Sequence, residues 1–269
     1  MKFGIFCILV FSANCSTDKA ATRRDLLHNN TLGDWELVTA TDRVEAVINK
    51  DLFSWNGTVL HVLGNGSDGS PKPFAYLRSK QAFSNYRLRL EFRWGSKRFA
   101  PRQHERRDSG VLVHVHGRHI VWPDAVELQI QEGDVGDAFT IDTQITASVT
   151  PFSVKDHATM PESTYSPTGT LHTQGHDGLT RITKSLNAER PGWNEVQVIA
   201  CADQLWFVVN GTVVNQLTKV RTWRPDATGK ESWIPLSSGH IALQAEGAEV
   251  FYKDMSIETL KSYEGIDCR

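Results

Sequence analysis

Two carboxylates and two amides occur close together in one short stretch, residues 125–132. Apolar and polar side chains alternate there as in a β-strand, so Glu127 and Gln129 fall on the polar face. Glu132 follows where the alternation ends, and a regular strand would point it away from Glu127. We therefore expect a β-bulge near Gln131 that brings Glu127 and Glu132 to one face, where they are candidate catalytic residues.

Two histidines stand two residues apart in the run GVLVHVH, residues 110–116. Regular alternation puts His114 and His116 on one face, and a short connection would make this strand a neighbour of Glu127. His114 is then a candidate catalytic base, and His114, His116 and Glu127 are candidate ligands of a divalent metal ion. The alternative is a solvated polar face, which is common in antiparallel sheets.

Other polar and aromatic side chains are candidates for substrate binding. Trp122 stacks on a sugar ring in one interpretation and caps the core in the other. Gln244 and Glu246 alternate with apolar residues and are expected to reach the same cleft as Glu127. The predicted substrate-binding residues are Gln129, Trp122, Arg118, Arg181, Gln244 and Glu246.

The elements that carry these residues are short strands. Runs with a period of two recur from residue 58 to residue 260, and no long helical stripe competes with them. Asn210 and Gly211 lie between β-branched residues and predict a tight hairpin. The pattern predicts an all-β fold, a two-sheet antiparallel jelly-roll sandwich.

Length and charge exclude some classes of protein. The 269 residues suffice for one large core, with a net charge of -2 and a pI near 6.6. No basic field exists to attract nucleic acid. The eight Trp, twelve Phe and five Tyr are compatible with a β-sandwich and also with sugar-stacking surfaces, and composition alone does not choose between the two.

The first 15 residues resemble an export signal, with Lys2 followed by a short apolar run. Cys15 then matches the lipidated residue of a bacterial lipoprotein, although Ser12 and Asn14 depart from that pattern. We expect an exported protein, periplasmic or at the cell surface, either membrane-anchored through Cys15 or simply cleaved after the signal. Residues 16–32 are interpreted as a polar linker and residues 33–262 as the jelly-roll domain.

Two further cysteines, Cys201 and Cys268, remain in the domain without a CxxC spacing. In an oxidising compartment they could form a disulfide, or they could stay as two free thiols. The sequence leaves both possibilities open.

The spacing of the acidic stretch resembles that of retaining β-glucanases of the laminarinase type, which have the concanavalin A-like fold. Those enzymes carry Glu-x-Asp-x-x-Glu on a bulged strand, with the first Glu as nucleophile and the last as acid/base. Here Gln129 replaces the central Asp between Glu127 and Glu132. The resemblance implies a retaining glycoside hydrolase as one hypothesis.

A longer series of motifs resembles a second family, the 3-keto-disaccharide hydrolase domains, which share that fold. The resemblance extends over residues 33–260 and implies a substrate already oxidised to a ketone at carbon 3. In chain order the motifs are DSGVLVHVHG, VWPDAVELQIQEGDVGDAF, RPGWNEVQVIA, NGTVVNQ and SGHIALQAEGAEVFYKDMSI.

The implied reaction is cleavage of the glycosidic bond of a 3-keto-glycoside. The ketone acidifies the proton on carbon 2, so a base can remove it, the aglycone leaves carbon 1, and water adds. Such a site needs a base, an acid and an enolate stabiliser, either hydrogen-bond donors or a divalent metal ion.

A non-catalytic, lectin-like module is the third hypothesis, and it predicts mostly aromatic and amide side chains rather than buried carboxylates.

Overall fold

The computed structural model describes residues 23–27, 31–39, 43–45, 48–150, 163–175, 178–225 and 227–269. Within these ranges the chain forms strands and one 3-10 helix (Thr31–Asp34), with no α-helix. The strands are β1 (Arg23–Asp25), β2 (Trp35–Thr39), β3 (Arg43–Glu45), β4 (Phe53–Trp55), β5 (Leu60–Val62), β6 (Ala75–Ser79), β7 (Phe83–Ser84), β8 (Tyr86–Arg98), β9 (Asp108–His116), β10 (Asp124–Gln131), β11 (Ala138–Ile141), β12 (Thr143–Val149), β13 (Ser163–Thr164), β14 (Thr170–Gln174), β15 (Leu179–Thr183), β16 (Asn194–Cys201), β17 (Gln204–Val209), β18 (Thr212–Pro225), β19 (Glu231–Pro235), β20 (Ser238–Ala245), β21 (Ala248–Thr259), β22 (Ser262–Tyr263) and β23 (Ile266–Asp267).

Two large sheets contain all but the last two of these strands. The eleven-stranded sheet has the order β14-β12-β18-β17-β16-β8-β21-β5-β4, with β1 beside β21 and β19 beside β18. The ten-stranded sheet has the order β13-β15-β11-β10-β9-β20-β6-β2-β3, with β7 beside β20. The short β13–β15 pair is parallel, and the other pairings between these strands are antiparallel. The prediction of an all-β antiparallel sandwich is confirmed.

The core forms because one face of each sheet is apolar. In β10 the side chains of Val126, Leu128 and Ile130 are fully buried in the main core cluster, together with Leu88 and Leu90 of β8 in the other sheet. Burial of each such side chain contributes roughly 1.5–3 kcal/mol. The face predicted to be apolar in residues 125–131 therefore packs between the sheets, and the polar face points outward.

The predicted hairpin between β17 and β18 is also confirmed. Asn210 and Gly211 connect the two strands, with φ values of 48° and 81°. Two-residue turns of type I′ require positive φ at both positions, which Asn and Gly adopt at low cost.

Paired strands extend beyond the predicted domain limits at both ends. Residues 23–25 fall in the predicted linker, yet they pair with β21. At the other end, β23 reaches Asp267. The predicted signal and Cys15 lie outside the described residues. Among the residues that are described, no helix has the length and apolar character needed to cross a membrane.

A disulfide joins Cys201, at the end of β16, to Cys268 near the C-terminus. Both cysteines are buried in a small apolar cluster with Ile199, Trp206 and Val208. The bond fixes the C-terminal β22–β23 hairpin against the eleven-stranded sheet. It closes a loop between two residues that are 67 positions apart in the sequence. The pairing that the sequence left open is therefore present.

Replacing both cysteines with serine is expected to lower the free energy of unfolding by about 2–4 kcal/mol, because an open loop gives the unfolded chain more conformational freedom. Urea titrations of the wild type and of the double variant Cys201→Ser, Cys268→Ser measure this difference. A thiol reductant should destabilise the wild type by the same amount and leave the double variant unchanged. Equal stability of the oxidised and reduced wild type would contradict the expectation.

Candidate active site

Glu127 lies on the outer face of the ten-stranded sheet. Directly paired residues share a face, and Glu127 is paired with Leu112 of β9 and Phe139 of β11. Its side chain is nevertheless buried, with an exposure of 5%. Burial disfavours the charged form and raises the pKa of Glu127 well above its usual range, and the nearby charges of Glu246 and Asp108 raise it further.

A glycine in the next strand makes room for this carboxyl group. A Cβ atom added at Gly110 would lie 2.1 Å from Oε1 of Glu127 and 2.4 Å from Oε1 of Gln244. Both distances are far below van der Waals contact, so any larger residue at this position would displace the two side chains. The Glu127 carboxyl and the Gln244 amide therefore meet over the backbone of Gly110.

Two more carboxyl groups accompany Glu127. Asp108 is 2% exposed, and burial raises its pKa to about 6. Burial and the charge of Asp108 raise the pKa of Glu246 to about 8. Arg102 connects the two, with Nη2 at 2.7 Å from Asp108 and Nη1 donating to Glu246 at 2.5 Å. We refer to Asp108, Glu127 and Glu246 as the carboxyl cluster, which contains more acids than the one guanidinium can neutralise and so retains protons near neutral pH.

Two buried amides flank the cluster. Gln129 is paired with Gly110 across the β9–β10 ladder, and Gln244 is paired with Tyr76 of β6. A side-chain hydrogen bond with Gln244 partly offsets the rise in the pKa of Glu127. The Oε1 atoms of Gln129 and Gln244 accept no hydrogen bond from the described residues. Together the amides offer donors and acceptors of the kind that bind sugar hydroxyls.

Trp122 covers part of the same outer face. Its ring lies 6.1 Å from that of Phe74 and 6.2 Å from that of Tyr76. It packs with Val121 against a second apolar cluster that includes Leu112 and Ala242. The connection between β9 and β10 therefore folds over the sheet and borders the site with an aromatic side chain.

The prediction that a bulge brings Glu132 to Glu127 is wrong. Pairing of β10 with β9 continues without a break from Gln129 to Gln131, and the amide of Glu132 still donates to the carbonyl of Arg107 at 2.9 Å. Glu132 consequently points to the other face of the strand. Arg107 binds it through Nη2 at 2.8 Å and Nε at 3.1 Å, and this pairing lowers the pKa of Glu132 to about 2.

The cavities beside Glu132 are also separate from Glu127. One is lined by Trp94, Asn187 and Glu189, and the other by Arg98 and His104. Glu132 contributes to both, and Glu127 contributes to neither. The two carboxylates therefore do not flank one bond as a retaining glycosidase requires.

The expected placement of His114 beside Glu127 is wrong as well. A bulge does occur, but in β9, where Val113 pairs with Val126 while His116 pairs with Asp124. His114 is the extra residue, with a φ of 53°. The bulge turns its ring into the core, where it is fully buried and lies edge-on to Tyr86 of the other sheet at 6.2 Å.

Because of the bulge, the side chain of His116 also points toward the eleven-stranded sheet. Its Nε2 lies 2.8 Å from Oγ1 of Thr222 in the eleven-stranded sheet. His114 and His116 thus face the sandwich interior, whereas Glu127 faces outward, so the three do not fit a shared metal ion. Among the residues that the structure describes, no group of three or more His, Cys, Asp or Glu is arranged to hold one.

Arg181 of β15 points to the same outer face as Glu127. It is paired with Phe139 of β11, so a whole strand separates it from Glu127 in β10. Its guanidinium group lies over that ring at 5.6 Å and binds Asp134 at 3.2 Å and Asp137 through Nε at 2.7 Å. Arg118 is exposed in the connection between β9 and β10. Of the predicted residues, the structure brings Glu127, Gln129, Gln244, Glu246 and Trp122 together, and it leaves His114, His116, Glu132, Arg118 and Arg181 apart from them.

This arrangement can be compared with known proteins. The family model described as the 3-keto-alpha-glucoside-1,2-lyase-like domain matches residues 24–258. The chain belongs to this family. The resemblance to 3-keto-disaccharide hydrolase domains is thereby confirmed, and the match supports an activity on glycosides. No curated protein matches the sequence.

Several solved structures are similar to the chain. A proposed glycosyl hydrolase from Parabacteroides distasonis is 15% identical over 89% of this chain and 100% of its own, with a TM-score of 0.50. A second one from that organism is 14% identical over 85% and 89%, with a TM-score of 0.46. A Bacillus licheniformis β-glucanase is 10% identical over 89% and 97%, with a TM-score of 0.43. At 15% identity the likeness to the first of these structures concerns the fold alone.

Sequence reasoning missed three residues of the site in this 3-keto-alpha-glucoside-1,2-lyase-like domain. Asp108 and Gly110 open the strand that contains the histidine pair, and period-two alternation places them on the face of Leu112. The alternation therefore could have revealed Asp108 and Gly110, because Glu127 and Gln129 were expected beside this face of the strand. Arg102 lies in a basic run that resembles an exposed loop, and only the folded structure shows where it points.

Gly110→Ala is expected to lower the free energy of unfolding by about 1–3 kcal/mol, because the added methyl group overlaps the side chains of Glu127 and Gln244. Chemical denaturation measures the loss. Gly33→Ala is the matched control, since a Cβ there meets nothing within 4 Å. If the two variants were equally stable, Glu127 would not pack over Gly110.

His114→Phe is expected to protect the fold at acid pH. Burial lowers the pKa of His114 to about 4 in the folded protein, against about 6.5 in an unfolded chain. The neutral ring therefore stabilises the fold fully above pH ~6.5, and this stability is lost as the pH falls toward 4, by about 3 kcal/mol in all. Unfolding titrations at pH 7 and pH 4 compare the wild type with this variant.

The exposed His172 provides the control for that comparison. His172→Gln should lose as much stability as the wild type on acidification, whereas His114→Phe should lose less. Identical losses in all three proteins would show that His114 is not a buried neutral residue.

Proposed function

We propose that this protein cleaves the glycosidic bond of 3-keto-glycosides by removing the proton from carbon 2, eliminating the aglycone and adding water. The observation that carries the proposal is the buried Glu127 carboxyl group, which lies between two amides and beside two other acids. A carboxyl group whose pKa is raised is, once ionised, a stronger base than an exposed carboxylate. The family membership of the chain supports the same class of substrate.

In the proposed mechanism Glu127 takes the proton from carbon 2, and the electron pair of that C–H bond forms the enolate of the ketone. The amide groups of Gln129 and Gln244 are positioned to donate hydrogen bonds to the substrate, the enolate oxygen included. The enolate then forms a double bond between carbons 1 and 2, and the bond from carbon 1 to the aglycone oxygen breaks. Glu246 supplies the proton to that oxygen, since its raised pKa keeps it protonated near neutral pH.

Ionised Glu246 then takes a proton from a water molecule, whose oxygen adds to carbon 1 of the unsaturated ketone, and carbon 2 regains a proton from Glu127. The net reaction is hydrolysis, and both Glu127 and Glu246 return to their starting states. Trp122 and Phe74 border the site with aromatic rings on which a sugar or aglycone can stack. No step is assigned to a metal ion, because the candidate ligands His114, His116 and Glu127 face different sides of the sheet.

Export is part of the proposal. The Cys201–Cys268 disulfide supports folding in an oxidising compartment, such as the periplasm or the cell surface. Anchoring through a lipidated Cys15 remains a hypothesis, and labelling of the cellular protein with a fatty-acid analogue tests it.

Glu127→Gln should reduce turnover of a 3-keto-glucoside by on the order of 100- to 10,000-fold, because the amide has nearly the same shape and cannot accept the proton. Glu132→Gln is the matched control, since Glu132 lies on the opposite face and should be dispensable for turnover. In deuterium oxide the wild type should also exchange the carbon-2 proton or show a primary isotope effect there. Product formation by mass spectrometry and proton exchange by NMR provide the two measurements.

Three outcomes contradict the proposal in different ways. Equal cleavage of the unoxidised glucoside without exchange at carbon 2 would indicate direct displacement. Equal losses of turnover in the Glu127 and Glu132 variants would indicate that the buried Glu127 has no special role in the reaction. Binding without turnover would leave a carbohydrate-binding module.

A further inference from the structure

Arg102 contacts two members of the carboxyl cluster, Asp108 and Glu246. It lies in the connection between β8 and β9, and its side chain is 19% exposed. One guanidinium nitrogen binds Asp108 at 2.7 Å, another binds Glu246 at 2.5 Å, and Nε lies 2.9 Å from Glu105. A single guanidinium group thus links two members of the cluster, and it influences Glu127 electrostatically.

Backbone contacts fix the position of Arg102. Its amide donates to the carbonyl of Phe99 at 2.9 Å, and the amide of Phe99 donates to the carbonyl of Gly247 at 2.8 Å. Gly247 has a φ of 79°, and a Cβ added there would lie 2.9 Å from Cβ of Arg102. The connection therefore packs tightly against the turn between β20 and β21, which is the turn that contains Glu246.

The charges around Glu127 are unbalanced. Asp108 lies in β9, Glu246 in the β20–β21 turn and Glu105 in the β8–β9 connection. On the opposite side, β11 presents the uncharged Phe139. Arg181 of β15 lies beyond it and is bound by Asp134 and Asp137. Tyr252 lies behind the strand, hydrogen-bonded to Ser109 at 2.7 Å. The titratable and charged groups that surround Glu127 are Asp108, Glu246, Glu105, Arg102, Tyr252 and, farther away, Arg181.

We propose that Arg102 is a positioning residue which, by holding Asp108 and Glu246 beside Glu127, determines which carboxyl group of the cluster carries the proton. This inference rests on the proposed function only where it concerns turnover. Arg102 does not act on the substrate itself. It stabilises the ionised forms of Asp108, Glu246 and Glu127 against the burial that favours their protonated forms.

Carboxyl carbon NMR of the full chain, labelled with 13C in the side chains of Glu, tests the inference without any substrate. The Glu127→Gln variant identifies the Glu127 signal. Arg102→Met should raise the titration midpoint of Glu127, because an opposite charge that favours ionisation is removed. Arg102→Lys keeps the charge but loses the two-pronged contact, so it should raise the midpoint less.

Arg107→Met is the matched control. Arg107 has a similarly half-buried guanidinium group in the same connection, with a side-chain exposure of 24%, and it pairs with Glu132 on the other face. Its removal should leave the Glu127 midpoint unchanged. Asp108→Asn should shift that midpoint downward, opposite to Arg102→Met, because the charge of Asp108 raises the pKa of Glu127.

A Glu127 midpoint that is the same in folded Arg102→Met and in wild type would overturn the inference. If Arg102→Met does not fold, Arg102→Lys and Asp108→Asn decide it by the direction of their shifts. The pH profile of kcat/KM on a 3-keto-glycoside then separates this inference from the proposed function. An acid limb that follows the NMR midpoint supports both, whereas a shifted midpoint with an unmoved acid limb supports the role of Arg102 and refutes Glu127 as the base.

Discussion

The antiparallel register of β9 with β10 determines which side chains share the candidate active site. On one face the two strands place Val111, Val126 and Leu128 in the core, and on the other they place Gly110 and Glu127 side by side. A slip of one residue would exchange the faces. It would expose apolar side chains that each contribute roughly 1.5–3 kcal/mol and place a carboxyl group in the sandwich interior without a partner. The core therefore enforces the geometry of the site on the outer face.

The turn after β10 holds this register at one end. Asp137 is fully buried and accepts hydrogen bonds from the backbone amide of Lys184 at 2.9 Å and from Nε of Arg181 at 2.7 Å. Its own carbonyl accepts from the amide of Gln129 at 2.9 Å, so the network is joined directly to the strand. Buried ion pairs contribute little net stability on average, but they restrict the arrangements that a turn can adopt. Asp137 therefore supports the site from behind.

Sequence patterns predicted the strands well because alternation reports the two faces directly. The outward position of Glu127, Gln129 and Gln244 followed from it. The same logic failed for His114, because the run VLVHVH alternates perfectly in sequence while the bulge changes the face within it. The bulge depends on how β9 packs between its neighbours β10 and β20. In β20, Gly239 allows the backbone of His114 to approach closely. Arg102 could not be placed for a related reason, since its contact with Glu246 joins residues 144 positions apart.

Two glutamates five positions apart thus end in opposite electrostatic states. Glu132 is held by Arg107 and Arg98, so its pKa falls to about 2 and it stays ionised at any pH near neutrality. Glu127 is buried beside other acids, which favours the protonated form. A group that is always ionised cannot donate a proton, and an unperturbed carboxylate is a weak base at neutral pH. In the acid-rich carboxyl cluster the pKa of Asp108 rises to about 6 and that of Glu246 to about 8, so these two groups can exchange protons near neutral pH. Environment rather than residue type therefore gives Glu127 and Glu132 their opposite pKa shifts.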